Sequence, residues 1–553
     1  MSYRWKKMRK TKTIFILIGL LICLAVVSCA GLKSEGMSNN VPVWQPDNED
    51  GTYKSPIIYA DYSDPDVIRM GNDFYMTASS FNCVPGLPVL HSKDLVNWKI
   101  IGHAIQHFED ERFDVPQHGN GIWAPAIRYH DGWFWIFVGD PDAGIFMTKA
   151  KNPAGPWEPL HLVQAGKGLI DTCPLWDDDG NAYLVHAWAN SRAGINSILT
   201  VNRISPDGKK LLDEGTLVYD GRNGVAPTIE GPKFYKRNGW YYIFAPAGGV
   251  KQGWQLALRS KNVFGPYEAK RVLEQGGTEI NGPHQGGWVE LKNSENWFVH
   301  FQDHGAYGRI VHLNPVNWVD DWPLMGIDFD GNGVGEPVTQ YKKPDVGKTY
   351  PVEVPQTSDE FDSAKPGLQW QWHANPKDNW MSLKNRPGWM RLFAVPNPKD
   401  SKNLWSVPNL ILQKFPAPEF TFTAKLDFNN LAVGEETGLL IMGQSYSYLA
   451  LEKTSSGCFL VKKTCTDAMR GGEEVEEQKV DCQGDSVILS VKVSDGAVCN
   501  FSYSSDGRKF TSIGESFTAQ PGRWIGAKVG LFCLANQKKE SAGYADYDWF
   551  RIE

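Results

Sequence analysis

The feature that most constrains this chain is a hairpin unit that recurs along its first half. Residues 131–136, 179–184 and 238–243 each place an Asp-Gly or Asn-Gly turn before an apolar and aromatic run, and residues 71–76 and 294–299 are looser copies. From Gly71 through Gly132, Gly180 and Gly239 to Asn296, the intervals are 61, 48, 59 and 57 residues. Units of this period, each a small antiparallel sheet that cannot bury both faces alone, predict a five-bladed β-propeller.

The strand before each turn opens with a residue suited to chemistry. In chain order these residues are Asp64, Trp123, Asp171, Glu230 and His284. The innermost strands of all blades begin at the same end of a propeller's axis, so we expect the five side chains to meet in one funnel. Three carboxylates, an indole and an imidazole together are typical of an active site, because a buried charge is costly unless it is paired or used.

Residues 1–28 have the pattern of a bacterial export signal. Six Lys and Arg side chains precede an apolar run at residues 13–27, and small residues lead to Cys29, which resembles a lipobox cysteine that is lipidated after cleavage. The alternatives are a simple signal followed by an unrelated cysteine, or an uncleaved membrane anchor. We expect an exported, lipid-anchored protein of the periplasm or outer-membrane surface of a bacterium, with residues 29–52 as a flexible tether.

The net charge of the chain indicates which classes of partner it can bind. Removal of residues 1–28 takes away six basic residues and changes the formal net charge from −7 to −13. A mildly acidic protein is a poor candidate for nucleic-acid binding, so we expect none, and we expect contact with a membrane only through the lipid anchor.

Cysteine usage leaves the pairing open. Five of the nine cysteines lie near the C-terminus, at Cys458, Cys465, Cys482, Cys499 and Cys533. Export makes disulfides available, but five is an odd number and the sequence does not assign the pairs. No spacing suggests zinc, and small buried hydrophobic residues are the default interpretation.

The composition changes after the predicted propeller, which we place at residues 53–330. Residues 331–358 contain four prolines and few apolar runs, which predicts a linker. Residues 359–553 alternate between apolar and polar side chains, as at 420–428 and 486–493, which predicts a β-sandwich. The fold class is therefore all-β, and nothing in the second domain has the pattern of a catalytic cluster.

Several ordered motifs carry a family resemblance. Residues 61–67, Phe81 with 85–88, 91–98, 123–125, 170–171 and 229–232 resemble the successive blade motifs of glycoside hydrolase family 43. Residues 544–550 resemble the accessory domain of that family's β-xylosidase-like branch. The resemblance implies a five-bladed propeller that hydrolyses glycosidic bonds with inversion, followed by a concanavalin-like sandwich.

The resemblance also implies roles for the three acids. Asp64 would be the general base, Glu230 the general acid, and Asp171 the residue that tunes and orients the acid. An inverting glycosidase needs a protonated carboxyl at the leaving oxygen and an ionised one that holds a water, about 6.5–9.5 Å apart. Glu230 therefore needs a raised pKa, which a nearby carboxylate supplies. The alternative for each acid is a strand cap or an ion pair with arginine.

Other residues are assigned by the same resemblance. Phe81 and Trp123 would offer apolar faces to a sugar ring, with core packing as the alternative. Arg309 would contact substrate near the acids, with a surface ion pair as the alternative. Residues 82–84, Asn-Cys-Val, replace the Glu-Trp-Phe of many β-xylosidases on a loop expected to wall the sugar subsite, which leaves the pentose open.

No cofactor is expected for the chemistry, and a structural calcium is the one metal that the resemblance suggests. His284 would lie near a central calcium and contact it through water, because calcium prefers oxygen ligands. A hydrogen-bonded core histidine is the alternative. In the sandwich, Asp359 and Asp548 are candidate ligands for a second structural calcium.

The sequence thus predicts an exo-acting glycosidase. It would release terminal β-D-xylosyl or α-L-arabinofuranosyl residues, with inversion, from plant cell-wall polysaccharides such as xylan or from their oligosaccharides. A non-catalytic carbohydrate-binding propeller is the alternative from another class. A retaining sucrose- or fructan-cleaving enzyme on a related five-bladed fold is a third hypothesis.

Overall fold

The computed structural model describes residues 42–535 and 543–553. The predicted export signal and Cys29 lie outside the described residues, so both stay predictions. Within the described part of the chain, no helix has the length and apolar character to cross a membrane. In residues 42–535 and 543–553, helical structure is confined to one α-helical turn, α1 (Asn190–Ala193), and short 3-10 turns at Glu111–Asp114, Gly305–Tyr307, Leu404–Ser406, Ala468–Arg470 and Asp495–Ala497.

Five four-stranded antiparallel sheets confirm the predicted propeller. A short strand, β1 (Thr52–Lys54), comes before them. In each of these five sheets, neighbouring strands follow one another in chain order. Blade 1 contains β2 (Asp66–Met70), β3 (Asp73–Thr77), β4 (Gly86–Ser92) and β5 (Trp98–Ile105). Blade 2 contains β6 (Pro125–His130), β7 (Trp133–Asp140), β8 (Gly144–Ala150) and β9 (His161–Ala165). Blade 3 contains β10 (Leu169–Trp176), β11 (Ala182–Trp188), β12 (Ile198–Ile204) and β13 (Thr216–Asp220).

The last two blades repeat this arrangement. Blade 4 contains β14 (Lys233–Arg237), β15 (Trp240–Ala247), β16 (Trp254–Ser260) and β17 (Glu268–Leu273). Blade 5 contains β18 (His284–Glu290), β19 (Asn296–Asp303), β20 (Arg309–Val319) and β21 (Trp322–Met325). The first strand of each blade is the innermost: β2 lies against β6 and β18, and β10 lies against β6 and β14. The starts of these strands therefore gather at one end of the axis.

Two of the predicted turns show why the hairpins form where they do. Asp131 and Gly132 have φ values of 48° and 74°, and Asn238 and Gly239 have φ values of 50° and 70°. A two-residue hairpin turn with the right-handed twist of its strands needs positive φ at both positions, which Asn, Asp and Gly adopt most easily. The pairing of Arg237 with Trp240 across the second turn confirms that register.

The propeller core lies in the wedges between neighbouring blades. A separate buried cluster fills each wedge; Trp135 and Phe137 of blade 2, for example, pack on Leu184 of blade 3. Trp297 of blade 5 is 1% exposed and packs against blade 1, which closes the ring. Truncation of such a buried indole costs about 3–5 kcal/mol of stability.

The segments on either side of the propeller pack onto it. Strand β1 pairs with β22 (Gln340–Lys342), which lies within the predicted linker. Lys343 forms ion pairs with Asp47 and, at 3.0 Å, with Asp94. The described end of the predicted tether and the predicted linker are thus held together beside blade 1.

Two eight-stranded sheets form the predicted sandwich. The first contains β23 (Gln371–Trp372), β26 (Val395–Pro396), β27 (Ile411–Lys414), β29 (Glu435–Met442), β30 (Tyr446–Thr454), β31 (Gly457–Cys465), β32 (Glu474–Asp481) and β37 (Lys528–Ala535). The second contains β24 (Met381–Ser382), β25 (Met390–Phe393), β28 (Phe420–Asp427), β33 (Ser486–Ser494), β34 (Val498–Ser504), β35 (Thr511–Ser512), β36 (Phe517–Thr518) and β38 (Tyr544–Ile552). Alternate side chains of both sheets, such as Phe422, Leu439 and Phe550, fill the core between them.

The sandwich contacts the propeller through main-chain and side-chain hydrogen bonds. Val84 and Trp372 exchange a pair of main-chain bonds at 2.9 and 2.6 Å. The Asn82 amide donates to the His373 carbonyl at 2.6 Å, and the Lys528 ammonium donates to the Cys83 sulfur at 2.9 Å. Residues 82–84 therefore face the sandwich, and none of them lines the cavity described below. Cys83 packs in a cluster with Phe81 and Trp123, which do line the cavity, so the placement of residues 82–84 on a loop that walls the sugar subsite stays a prediction.

Candidate active site

A cavity of ≈340 Å³ opens where the innermost strands begin. The six residues that the sequence nominates for catalysis and substrate binding all line it: Asp64, Phe81, Trp123, Asp171, Glu230 and Arg309. Asp64 lies two residues before β2, Asp171 is the third residue of β10, and Glu230 lies three residues before β14. Different blades thus bring side chains that are remote in sequence into one site.

The backbone around the cavity is held in unusual conformations. Asp64 and Asp171 have φ values of 54° and 57°, and Phe81 and Gln285 have φ values of 51° and 46°. A left-handed conformation costs a residue with a side chain roughly 1–2 kcal/mol, so it persists only where the surroundings impose it. At Asp171 a register shift between Ile170 and Cys173 interrupts the pairing of β10 with β11 and turns the acid toward the cavity.

Asp64 is fixed by three donors. The hydroxyl groups of Ser63 and Ser79 donate to its Oδ2, the first at 2.7 Å. The Arg309 guanidinium donates from Nη1 to Oδ1 at 2.9 Å and to Oδ2 at 3.2 Å. Asp64 is 5% exposed and Arg309 8%, so their ion pair is buried and is not the surface pair considered from the sequence. Hydrogen bonds from a cation to a carboxylate are strong and directional, so Asp64 has one well-defined orientation.

Glu230 has no such set of donors, and its surroundings favour the protonated form. Burial raises the pKa of Glu230, the neighbouring Asp171 carboxyl raises it further, and Arg309 opposes the increase only in part. Burial and the Asp64 carboxylate likewise raise the pKa of Asp171, although the Gly231 N–H donates to its Oδ2 at 2.8 Å. The site therefore retains a proton on its Glu230–Asp171 side at a pH where ordinary carboxyl groups have lost theirs.

His284 lies behind Glu230 and outside the cavity lining. Its Nε2 is 4.0 Å from Glu230 Oε1, the ring is fully buried, and neither ring nitrogen has a hydrogen-bond partner among the described residues. Burial and the nearby Arg309 lower the pKa of His284 to about 3, so the imidazole is neutral.

The sequence predicts calcium near His284 and, in the sandwich, near Asp359 and Asp548. No group of three or more His, Cys, Asp or Glu side chains in residues 42–535 and 543–553 is placed to hold a metal. Asp359 accepts hydrogen bonds from Gly367 N–H and Trp370 Nε1, both at 3.0 Å, while Asp548 pairs with Lys425 at 2.9 Å. A contact of His284 with calcium through water stays a prediction, and no step of the chemistry is assigned to a metal.

Aromatic side chains form the walls of the cavity. Trp123 donates its Nε1–H to the Gly119 carbonyl at 3.0 Å, which fixes the ring. Trp188 of blade 3 and Trp524 of the sandwich complete the aromatic lining. Trp524 is 47% exposed and has a φ of 64°, a conformation that points to a constrained loop.

Trp524 is not among the predicted site residues, because no catalytic cluster is expected in the second domain. The available signal was the segment 520–526, Gln-Pro-Gly-Arg-Trp-Ile-Gly, which interrupts the alternation of the sandwich strands. A tryptophan between two glycines in such a break is a candidate for contact with another domain.

Comparisons with known proteins place the chain in a family. Residues 53–323 match the model of glycosyl hydrolases family 43, and residues 358–553 match that of the beta xylosidase C-terminal concanavalin A-like domain. A putative beta-xylosidase of Xylanibacter ruminicola is 41% identical over 89% of this chain and 88% of its own length. The chain belongs to glycosyl hydrolase family 43, and it is a glycosidase.

Further relatives carry two kinds of activity in their names. A beta-xylosidase of Formosa agariphila is 34% identical over 92% of this chain and 91% of its own. A non-reducing-end alpha-L-arabinofuranosidase of Bacteroides ovatus is 30% identical over 90% of this chain and 94% of its own. The solved structure of a xylan beta-1,4-xylosidase from Bacillus halodurans superposes with a TM-score of 0.80 at 23% identity, over 90% of this chain and 99% of the other, which shows the shared fold.

Proposed function

We propose that this glycosidase releases terminal β-D-xylosyl or α-L-arabinofuranosyl residues from plant cell-wall polysaccharides or oligosaccharides, with inversion at the anomeric carbon. The observation that carries the proposal is the contrast between two carboxyl groups in one cavity. Asp64 is held by a guanidinium and two hydroxyl groups, whereas the pKa of Glu230 is raised. One carboxylate and one carboxylic acid are what an inverting hydrolase needs.

The proposed reaction assigns one proton transfer to each acid. Glu230 donates its proton to the glycosidic oxygen as the bond to the anomeric carbon breaks. Asp64 accepts a proton from a water molecule, whose oxygen attacks the anomeric carbon from the opposite face. The products are an alcohol and a pentose of inverted configuration, and solvent then returns the proton to Glu230 and removes one from Asp64.

The other residues of the cavity support these two transfers. Asp171 raises the pKa of Glu230, and Arg309 holds Asp64 in place. Phe81, Trp123 and Trp524 provide apolar faces on which the C–H groups of a sugar ring can pack. The sandwich closes one side of the cavity through Trp524, which favours a site that accepts the end of a chain and therefore exo action.

Both pentoses remain in the proposal, because the relatives named above include β-xylosidases and an α-L-arabinofuranosidase. The proposal needs no cofactor. The substrate is a carbohydrate and not a nucleic acid, in keeping with the negative net charge of the exported chain. The sequence pattern of residues 1–29 supports export and attachment to a membrane through a lipid on Cys29.

A panel of aryl pentosides tests the proposal. The purified protein is assayed for nitrophenol release from β-D-xylopyranosides, α-L-arabinofuranosides and matched hexosides, and then for pentose release from xylo- and arabino-oligosaccharides. We expect turnover of at least one pentoside, no turnover of hexosides, and shortening from the non-reducing end. Preferred cleavage of a hexoside, or release of internal fragments, would contradict the proposal.

A further inference from the structure

One loop of the sandwich, residues 522–527, reaches the propeller beside the cavity, and we call it the sandwich loop. The Gly526 N–H donates to Asp61 Oδ2 at 3.0 Å, and the Ala527 N–H donates to the Ala306 carbonyl at 2.7 Å. Trp524, two residues before Gly526, lines the cavity. The loop is therefore bound to the segment before blade 1 and to blade 5 on one side, and it lines the cavity on the other.

Asp61 connects this loop to Arg309. Its second oxygen, Oδ1, accepts a hydrogen bond from the Arg309 main-chain N–H at 2.9 Å. The Arg309 carbonyl in turn accepts from the Tyr62 N–H at 3.1 Å, so residues 61 and 62 hold the arginine main chain on both sides. Asp61 is only 4% exposed, and an ionised acceptor strengthens both of its hydrogen bonds.

We call the contact between Asp61, residues 308–309 and the sandwich loop the joint. Its atoms are tightly packed. A Cβ at Gly308 would lie 2.5 Å from Asp61 Cγ, and a Cβ at Gly526 would lie 2.8 Å from Gly308 N. A side chain at Gly526 would require the main chain of residues 307–308 to move, and one at Gly308 would displace the Asp61 side chain. A displacement of the sandwich loop is therefore passed directly to residues 308–309, because close-packed groups have no free space to absorb it.

We infer that Asp61 is a positioning residue that couples the sandwich loop to Arg309 and thereby holds the guanidinium against Asp64. This inference rests on the proposed function and assigns a catalytic contribution to the accessory domain. Arg309 Nη1 donates to Ser63 Oγ at 2.7 Å as well as to Asp64. The same guanidinium lowers the pKa of Glu230, so its placement affects both acids.

Asp61→Asn tests the joint with the smallest change in shape. Asparagine keeps one acceptor oxygen and turns its NH₂ group toward the other N–H, so one of the two hydrogen bonds is lost. We expect kcat/KM to fall about 10- to 100-fold. The alkaline limb of the pH profile should move to higher pH, because a displaced Arg309 lowers the pKa of Glu230 less.

Asn375→Ala is the matched control at the same domain interface. Asn375 accepts from the Phe108 N–H at 2.9 Å and donates to the Phe108 carbonyl at 3.0 Å, and it contacts neither Asp61 nor Arg309. Its loss should lower Tm and leave the alkaline limb in place. A limb that moves equally in both variants would show a general effect of the interface and would overturn the inference.

Gly526→Ala approaches the joint from the sandwich and decides the question if Asp61→Asn does not fold. Its new methyl group pushes residues 308–309 away while Asp61 stays intact, so the same fall in kcat/KM and the same shift of the limb are expected. Wild-type kcat/KM and an unmoved limb in the folded variants would overturn the role of Asp61. A wild-type protein inactive on all pentosides would instead overturn the proposed function.

A separate observation concerns the C-terminal cysteines. Phe459 of β31 pairs with Asp481 of β32, which places Cys458 and Cys482 opposite each other one step further along. The Cys482 N–H donates to the Cys458 carbonyl at 3.0 Å, and both side chains pack on the same sandwich core. Directly opposed residues have Cα atoms about 4.5–5.5 Å apart, within the range that a disulfide spans.

We propose that Cys458 and Cys482 form a disulfide that ties the outer strand β32 to β31. Both thiols are free in the structure. To form the bond, the two thiols lose two protons and two electrons to an oxidant that itself contains a disulfide, which is reduced to two thiols. The other three C-terminal cysteines, Cys465, Cys499 and Cys533, are buried singly in the core.

Oxidation in a glutathione buffer tests the pair without reliance on export. We expect a peptide map with residues 458 and 482 cross-linked, and a Tm that falls by ~5 °C on reduction of the wild type but not of Cys482→Ser. Cys499→Ser is the control and should retain the cross-link. Free thiols at both positions after equilibration with oxidised glutathione would overturn the proposal.

Discussion

The two sides of the cavity surround a carboxyl group with opposite kinds of neighbours. On the base side, Ser63, Ser79 and Arg309 surround Asp64 with donors. On the acid side, Glu230 faces another carboxyl group, Asp171, and a neutral imidazole, His284. In the proposed mechanism, the fold therefore separates the two roles by the neighbours of each carboxyl group rather than by residue type. The predictions below test that separation.

The largest effect is expected on the base side. Asp64→Asn removes the group that accepts the proton of the attacking water, so kcat should fall about 10²- to 10⁴-fold on every substrate, whatever its leaving group. Circular dichroism checks that the variant is folded. Asp73→Asn, at the start of β3 in the same blade, should retain wild-type activity. A variant of Asp64 with normal turnover would exclude it as the base.

Glu230→Gln should show a dependence on the leaving group that Asp64→Asn lacks. An oligosaccharide leaving group needs a proton, so its hydrolysis should slow about 10²- to 10⁴-fold. The dinitrophenolate of a dinitrophenyl pentoside leaves as a stable anion without a proton, so hydrolysis of that substrate should slow much less. Parallel assays of both substrates measure the ratio. Equal losses on the two would place Glu230 outside the acid role.

Trp524→Ala tests the contribution of the sandwich to substrate binding. The Trp524 indole is expected to bind the sugar equally well in the ground state and in the transition state. Its loss should therefore raise KM for an oligosaccharide about 10-fold with kcat little changed. Phe510→Ala removes another exposed aromatic ring of the sandwich, 42% exposed and outside the cavity lining, and should have no effect. An unchanged KM in Trp524→Ala would remove the sandwich from the site.

Asp171→Asn should move the pH profile without abolishing activity. The Asp171 carboxylate raises the pKa of Glu230 by repulsion, so its removal lets Glu230 lose its proton earlier and moves the alkaline limb of kcat/KM to lower pH. Asp177→Asn is the control near the other end of β10, where Asp177 pairs with Lys236, and should leave the limb in place. A shift to higher pH would contradict the assignment.

The smallest effect concerns stability. Because the pKa of Glu230 is higher in the folded state than its ordinary 4.5, its ionisation opposes folding as pH rises. Glu230→Gln should therefore raise Tm at pH 8, with the gain disappearing below about pH 4.5. Thermal melts of both proteins across this range measure the effect. A gain in Tm that is constant with pH would show that folding does not raise the pKa of Glu230.

Much of the fold follows from local signals. The Asp131-Gly132 and Asn238-Gly239 turns fix hairpins, and the hairpin period fixes the number of blades. The three acids are predicted from their positions at or just before the first strand of a blade, and the structure places all three in one cavity. Regular geometry turns these separate positions into one cavity.

The rest depends on how the two domains meet, for which the sequence has no periodic signal. Asn82 and Cys83 form hydrogen bonds with the sandwich, and Trp524 reaches the cavity from a loop nearly 300 residues after Glu230. The linker region pairs with β1 through residues 340–342. In each contact, the local sequence pattern of one segment does not predict which other segment it meets.

The anomer released first is the most direct test of the separation between base side and acid side. Proton NMR spectra are recorded in the first minutes of hydrolysis of the preferred aryl pentoside, before mutarotation mixes the products. The account predicts inversion: α-xylose from a β-D-xyloside, or β-arabinofuranose from an α-L-arabinofuranoside. Release of the anomer with the configuration of the substrate would require Asp64 to bond covalently to the sugar and would contradict its role as the base.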